Sequence, residues 1–202
     1  MIDRLSLDGS KHPNFMGCWM LENSSLCDDL IGFFERNKDS QKPGVSGDGK
    51  PRETVKKSTD ITISPRDLED EKFQVVSTYV EHLKVCYLDY LEQWDFLKSF
   101  LPRVHIGSFN IQKYDEGGHF GTLHSERPSL IFLHRILVWM TYLNNVPDGG
   151  ATEFPMFGLK VKPEKGKTLI WPAEWTHAHL GEVVKKGNKY IITGWMHYPD
   201  DA

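Results

Sequence analysis

Several things are scarce in this sequence, and each shortage closes off a class of protein. No apolar run approaches 18 residues, so no membrane-spanning helix is expected. No basic stretch leads into an apolar core at the N-terminus, so no secretory leader is expected and the chain reads as cytoplasmic. Cysteine is limited to Cys18, Cys27 and Cys86, an odd number without a CxxC pair. Free thiols in a reducing compartment are the simplest account. An excess of basic residues is also missing, because the net charge is −4. There is therefore no electrostatic case for nucleic acid as a partner. Internal repeats and low-complexity tracts are absent as well.

What remains is an ordinary globular balance, 39% apolar and 26% charged, over 202 residues. That length predicts one domain, 1–202, with a sizeable core.

Along the chain, Ser24 or Ser25 is positioned to cap a helix that runs to about Arg36, with Leu26, Leu30, Ile31, Phe33 and Phe34 on its apolar side. Residues 37–58 are polar and rich in Gly, Lys and Pro, which predicts a loop. The segment 38–58 is either a plain connection or a lid over a site. Thr59 to Ile63 predicts a short strand. After Ser64-Pro65 and a run of acidic residues, Phe73, Val76, Val80, Leu83, Tyr87, Tyr90 and Trp94 recur at helical spacing. They predict one amphipathic helix over about 66–93, with a further turn near 95–100. Its aromatic stripe is what packing on a sheet requires.

From Val104 the pattern changes. Residues 104–114, 135–144, 158–162, 167–171 and 188–197 are rich in β-branched and aromatic residues and are separated by Gly/Pro turns. Helices followed by a run of short strands predict an α+β fold, with a helical part (1–103) packed on an antiparallel core (104–198). A barrel or jelly roll is the natural closure.

The chemistry centres on Gly118-His119-Phe120-Gly121-Thr122-Leu123-His124-Ser125-Glu126. His124 and Glu126 lie two residues apart, so on a strand they share one face. Two imidazoles and a carboxylate on one side of a metal leave its opposite positions open, which suits non-haem Fe(II) oxygen chemistry. The second imidazole has two candidates, His177 and His179, on the same side of an extended segment. Lys189 follows on the last strand. There, Lys189, Ile191, Thr193, Trp195 and His197 share one face, as do Ile136, Val138, Met140 and Tyr142 on an earlier strand. An inward Lys among apolar neighbours is costly unless an anion meets it. An exposed edge position for Lys189 is the bland alternative.

Four segments together resemble one family. IQKYDEGGHFGTLHSE (111–126), ILVWMTYLNNVPDGGATEFP (136–155), KPEKGKTLIWP (162–172) and HLGEVVKKGNKYIITGW (179–195) are similar, in order and spacing, to prolyl 4-hydroxylase-like Fe(II)/2-oxoglutarate dioxygenases. The resemblance covers about 90 residues and implies a double-stranded β-helix core. It implies His124, Glu126 and His179 as iron ligands, the last chosen because its ten-residue step to Lys189 matches the family. His177 then falls behind the ligands or on the substrate side, with His119 and Thr193 as further neighbours. Lys189 and Tyr142 would hold the distal carboxylate of 2-oxoglutarate. Tyr114 would line its pocket, and Trp195 would close the core beneath it. The family's usual carboxylate is Asp; with Glu126 in its place, this chain resembles phage- and bacterial-type members that carry HxE.

The implied reaction is hydroxylation of an unactivated C–H bond with O2, giving succinate and CO2 as co-products, with ascorbate as an accessory reductant. The implied substrate is a prolyl residue in a peptide or protein. Alternatives are a free amino acid or small metabolite, or a non-catalytic β-barrel binding module. An inward Lys189 argues against the module, which has no use for a buried cation.

Overall fold

A computed structural model describes residues 2–5, 14–47, 49–101 and 103–199. The first half carries β1 (Ile2–Arg4), β2 (Gly17–Leu21), α1 (Ser25–Arg36), β3 (Lys42–Pro43), β4 (Thr59–Ile63), α2 (Gln74–Gln93) and α3 (Leu97–Phe100). The second half opens with β5 (His105–Ile106), β6 (Phe109–Tyr114), β7 (Phe120–His124), β8 (Arg135–Tyr142), β9 (Asp148–Gly149) and β10 (Thr152–Phe154). It closes with β11 (Leu159–Val161), β12 (Lys167–Pro172), β13 (His179–Gly181), β14 (Val184–Lys186) and β15 (Lys189–His197). No described helix is long and apolar enough to cross a membrane.

The strands form a large antiparallel sheet, ordered β1-β2-β12-β8-β15-β6-β4-β3 with β5 beside β15, a small one, ordered β11-β10-β13-β7, and a two-stranded one, β14-β9. Side-chain alternation on the large sheet makes two cores. Leu137, Trp139, Tyr190, Ile192 and Ile170 face the helices, where they meet Leu30, Phe34, Val76, Tyr79 and Leu83. Val138, Met140, Tyr142, Leu169, Trp171 and Ile191 face the other way and pack with Phe154 and Val161 of the small sheet. The architecture is α+β with a double-stranded β-helix core. A buried hydroxyl chain fixes α2 over the sheet: Thr141 Oγ1 lies 2.7 Å from Tyr79 Oη and 2.7 Å from Thr168 Oγ1. Each large apolar side chain so enclosed contributes roughly 1.5–3 kcal/mol.

Three features differ from the sequence expectation. The helix expected over 66–93 begins only at Gln74; before it stand two 3-10 turns, Pro65–Glu69 and Glu71–Phe73. Each turn is closed by its own cap. Ser64 and Asp67 form a capping box, and the Asp70 carboxylate accepts from Lys72 N at 3.0 Å, so helix growth restarts. The expected strand 104–114 is broken at Gly107-Ser108, where Gly107 backs onto the His197 ring: a Cβ there would come within 2.3 Å of it. Finally, the large sheet draws β1 to β4 from the first 103 residues, of which only Thr59–Ile63 was expected as a strand. Cys18, Cys27 and Cys86 are buried free thiols. Burial pushes Cys18 and Cys86 up to about 12 and Cys27 to about 11, so all three behave as small apolar residues.

Candidate metal centre

The pairing of β7 with β13 sets His124 directly opposite His179. In an antiparallel pair, opposed residues project to the same side, so both imidazoles point between the sheets. Glu126 follows two residues after the end of β7. One ligand-type atom from each of His124, Glu126 and His179 lies within 4.8 Å of the others. Glu126 Oε1 is 3.5 Å from Nε2 of His124 and 3.5 Å from Nε2 of His179.

The rings are oriented for a metal. His124 Nδ1 is 2.8 Å from the carbonyl of Thr122, and His179 Nδ1 is 3.0 Å from the carbonyl of His177. A carbonyl can only accept, so both Nδ1 atoms carry the hydrogen and both Nε2 lone pairs face the centre. Phe120 stacks on His124 at 3.8 Å, and Trp171 meets His179 edge-on at 5.1 Å, which removes rotational freedom from both rings. Burial alone would raise the Glu126 carboxyl. Contacts with His124 and His179 reverse this and hold it well below the usual carboxylate range, so Glu126 is anionic. Two neutral imidazoles and one hard anionic oxygen are a donor set that fits Fe(II).

The centre opens into a cavity of about 1050 Å³. Parity along the strands decides its lining. β15 contributes Lys189, Ile191, Thr193 and Trp195; β6 contributes Asn110, Gln112 and Tyr114; β8 contributes Val138 and Met140. Lys189 sits opposite Tyr114 in the β6–β15 ladder, and its ammonium lies 4.4 Å from the Tyr114 ring centre. Lys189 is only 3% exposed, and its one hydrogen bond goes to the carbonyl of Gly150, at 3.1 Å. Desolvation pushes its pKa down to about 8. Among the described residues no carboxylate forms an ion pair with this ammonium, and a buried cation so placed beside a metal-type cluster is a cradle for a carboxylate. The turn supplying that carbonyl needs glycine: Gly149 has φ +77°, and a Cβ on it would lie 2.2 Å from the Val183 carbonyl.

Not every expected residue is placed as anticipated. Tyr142 points inward, but its hydroxyl donates to Thr152 Oγ1 at 2.6 Å and lies 3.2 Å from the Val161 carbonyl, and it is not part of the cavity wall. The tyrosine beside Lys189 is Tyr114, whose hydroxyl donates to Gln112 Oε1 at 2.7 Å. Trp195 packs against the core beneath the site and also lines the cavity, where its indole N–H donates to Glu126 Oε2 at 2.9 Å. His177 is turned away. It sits in a 3-10 turn, so strand parity does not apply, and its Nε2 is 2.7 Å from the Asn14 carbonyl. His119 is outside the cavity wall, and its Nδ1 accepts from Gly121 N at 3.0 Å. Thr193 lines the cavity, its hydroxyl donating to the Trp139 carbonyl at 2.8 Å.

Two groups escaped the sequence reading. Arg135 lines the cavity, its guanidinium 3.7 Å above the Trp195 ring. A buried ion pair, Lys56 Nζ to Asp60 Oδ2 at 2.6 Å, also belongs to the wall. Ser58 donates to Asp60 Oδ1 at 2.7 Å and Gln112 to Oδ2 at 3.2 Å, so this pair pins the base of segment 38–58. That segment is not featureless: it carries a 3-10 turn Lys38–Ser40, strand β3 and a Ser46–Lys50 bridge, and ten of its residues between Asp39 and Lys56 face the cavity. If it acts as a lid, deleting 45–51 should raise the Michaelis constant of the main substrate more than that of the small co-substrate. Equal constants before and after deletion would leave it a plain connection.

Comparison with known proteins agrees in kind. Residues 109–197 match the model of the 2OG-Fe(II) oxygenase superfamily. The chain is 30% identical over 139 residues to a probable prolyl 4-hydroxylase 9 of Arabidopsis thaliana, covering 56% of this chain and 48% of that one. It is 34% identical over 71 residues to the human prolyl 4-hydroxylase subunit alpha-1, covering 32% of this chain and 13% of that one. It thus spans about half, or less, of the length of these relatives. Its fold is similar to a Pseudomonas putida prolyl-4-hydroxylase, with TM-score 0.70, 17% identity and coverage of 92% and 94%. It is also similar to a Trichoplax adhaerens prolyl hydroxylase solved with a hypoxia inducible factor peptide fragment, with TM-score 0.69, 14% identity and coverage of 91% and 84%. At those identities the likeness is one of fold.

Proposed function

With residues 109–197 matching the model of the 2OG-Fe(II) oxygenase superfamily, we propose that this protein is an Fe(II)- and 2-oxoglutarate-dependent dioxygenase that hydroxylates a prolyl residue in a peptide or protein. The observation that carries the reading is the joint presence, in one cavity, of the His124–Glu126–His179 cluster and the buried ammonium of Lys189, which has no ion-paired carboxylate among the described residues. His124, Glu126 and His179 would hold the iron. Lys189 would hold the distal carboxylate of 2-oxoglutarate, with Tyr114 beside it. Tyr142 would act one step removed, by fixing the Thr152 hydroxyl in the cavity wall. When bound, iron and 2-oxoglutarate supply an oxidant able to attack an unactivated C–H bond, with succinate and CO2 as co-products.

The chain's own residues supply orientation and exclusion of water. Met140, Val138, Ile191 and Trp171 make the inner wall apolar, so charge–charge contacts there are stronger than in water. A peptide is favoured over a free amino acid by the size of the cavity. About 1050 Å³ is at the top of the range for small-ligand sites, and the wall draws residues from segments 39–47 and 122–126 and from Val55 and Lys56, as well as from the strands. The test is succinate formation with Fe(II) and 2-oxoglutarate across a panel of proline-containing peptides and free proline. Coupling to peptides supports the reading. Coupling to free proline alone would move the substrate to the small-metabolite class. No coupling with any acceptor, and no uncoupled succinate, would remove the enzymatic reading.

A further inference from the structure

The two oxygens of Glu126 face different partners. Oε1 is 3.5 Å from Nε2 of both His124 and His179. Oε2 accepts from Trp195 Nε1 at 2.9 Å and lies 3.5 Å from Arg135 Nη1. The same Nη1 reaches the Glu126 carbonyl at 3.2 Å, which ties down the backbone as well as the carboxylate. The donors are themselves fixed, since the Arg135 guanidinium lies 3.7 Å from the Trp195 ring centre and 4.4 Å from that of Phe132.

Arg135 reaches this position through a bulge. In the β8–β15 ladder, Leu137 pairs with Met196 and Arg135 with His197, so Ile136 is an extra residue on β8. Regular alternation from Leu137 and Trp139 would send Arg135 to the helix side. The bulge sends Ile136 there instead and turns Arg135 into the cavity.

We infer that Trp195 and Arg135 are positioning residues that hold Glu126 Oε2 away from the metal, so that the carboxylate binds through Oε1 alone. The inference rests on the metal-centre reading above. Its chemical rationale is specific to glutamate. The extra methylene adds a torsion and lets a free carboxylate swing to offer both oxygens. Binding through both would take a coordination position that the co-substrate or oxygen requires. Two charge-assisted donors on Oε2 make that swing costly.

The test uses Co(II) as a spectroscopic probe with the full chain under metal-free starting conditions. Trp195→Phe keeps the ring under Arg135 and removes only the donor. The expected result is Co(II) affinity weakened about tenfold or more, the scale of one hydrogen bond to a charged group. The visible Co(II) band should also change intensity, reporting altered coordination, and 2-oxoglutarate should bind more weakly at saturating Co(II). A merely structural role would lower the metal-free melting temperature while leaving the band and both affinities as in wild type; that result would overturn the inference. Arg135→Met carries the same readouts should Trp195→Phe not fold. A wild-type protein that does not bind Co(II), or binds it regardless of His179→Ala, would overturn the metal-centre reading itself. Wild-type binding with unaltered spectra in both variants would overturn only the role given to Trp195 and Arg135.

Discussion

Replacing His179 with Ala is expected to abolish metal retention and turnover, whereas the same change at His177 should leave metal stoichiometry near that of wild type. Both side chains are buried, at 7% and 5% exposure, so burial does not separate them. Their hydrogen bonds do. His179 offers a free Nε2 toward His124 and Glu126, its Nδ1 being engaged by the His177 carbonyl. His177 has both ring nitrogens engaged, Nδ1 with Thr176 Oγ1 at 2.9 Å and Nε2 with the Asn14 carbonyl at 2.7 Å. In the proposed centre His179 would be one of three ligands, so its loss should cripple metal binding, and Glu126→Ala should be as severe. Losing His177 removes two hydrogen bonds and some packing, worth about 1–3 kcal/mol of stability. Iron stoichiometry and succinate yield in a single turnover measure both. Greater loss at His177 would reverse the assignment of the distal ligand.

Lys189→Ala should weaken 2-oxoglutarate binding by about ten- to a hundredfold while iron stays bound. A desolvated charge-assisted bond contributes roughly 1.5–3 kcal/mol, and each 1.4 kcal/mol is a factor of ten. Lys189→Arg should rescue partly, keeping the charge but changing length and geometry. The pH dependence separates the two variants further. Desolvation lowers the Lys189 pKa from the ordinary 10.5 to about 8, with Glu182 pulling weakly the other way. As pH rises through about 8, free wild-type protein loses this charge, and affinity for the dianion should fall by up to tenfold per pH unit. The Arg variant, charged throughout, should show no such fall. For folding the sign is opposite. Between about 8 and 10.5 the unfolded chain binds the proton more readily than the fold does, so this group's contribution to stability improves as pH rises through that window.

Much of the site was legible because strand parity is strict. Lys189, Ile191, Thr193, Trp195 and His197 were grouped by alternation, and the first four line the cavity, whereas His197 does not. The turn at Gly149-Gly150 was legible from its glycines. What parity does not give is depth and register. Tyr142 and Tyr114 both point inward on strands flanking β15, but only the ladder pairing of Lys189 with Tyr114 shows which tyrosine stands beside the ammonium. Parity left His177 and His179 tied, and only the step to Lys189 implied by the resemblance favoured His179; the structure separates them physically, because 175–177 forms a 3-10 turn and not an extended segment. Arg135 was invisible because a single extra residue, Ile136, inverts the alternation from that point on, and nothing in the local composition marks the bulge. The Lys56–Asp60 pair was likewise hidden in a segment whose polarity reads as solvent-exposed loop, although both side chains are buried. The helix register was clear from aromatic spacing, while its start was displaced by two local caps whose hydrogen bonds compete with the helix.

In the proposed enzyme, iron held by His124, Glu126 and His179 would share its cavity with a 2-oxoglutarate anchored at Lys189. The most direct measurement is an anaerobic titration of the Fe(II)-loaded protein with 2-oxoglutarate, followed by visible absorption. The account predicts a saturable metal-to-ligand charge-transfer band in wild type, no band in His179→Ala, and a band requiring far more 2-oxoglutarate in Lys189→Ala. A wild-type protein that retains Fe(II) yet develops no band at any concentration of 2-oxoglutarate would contradict it.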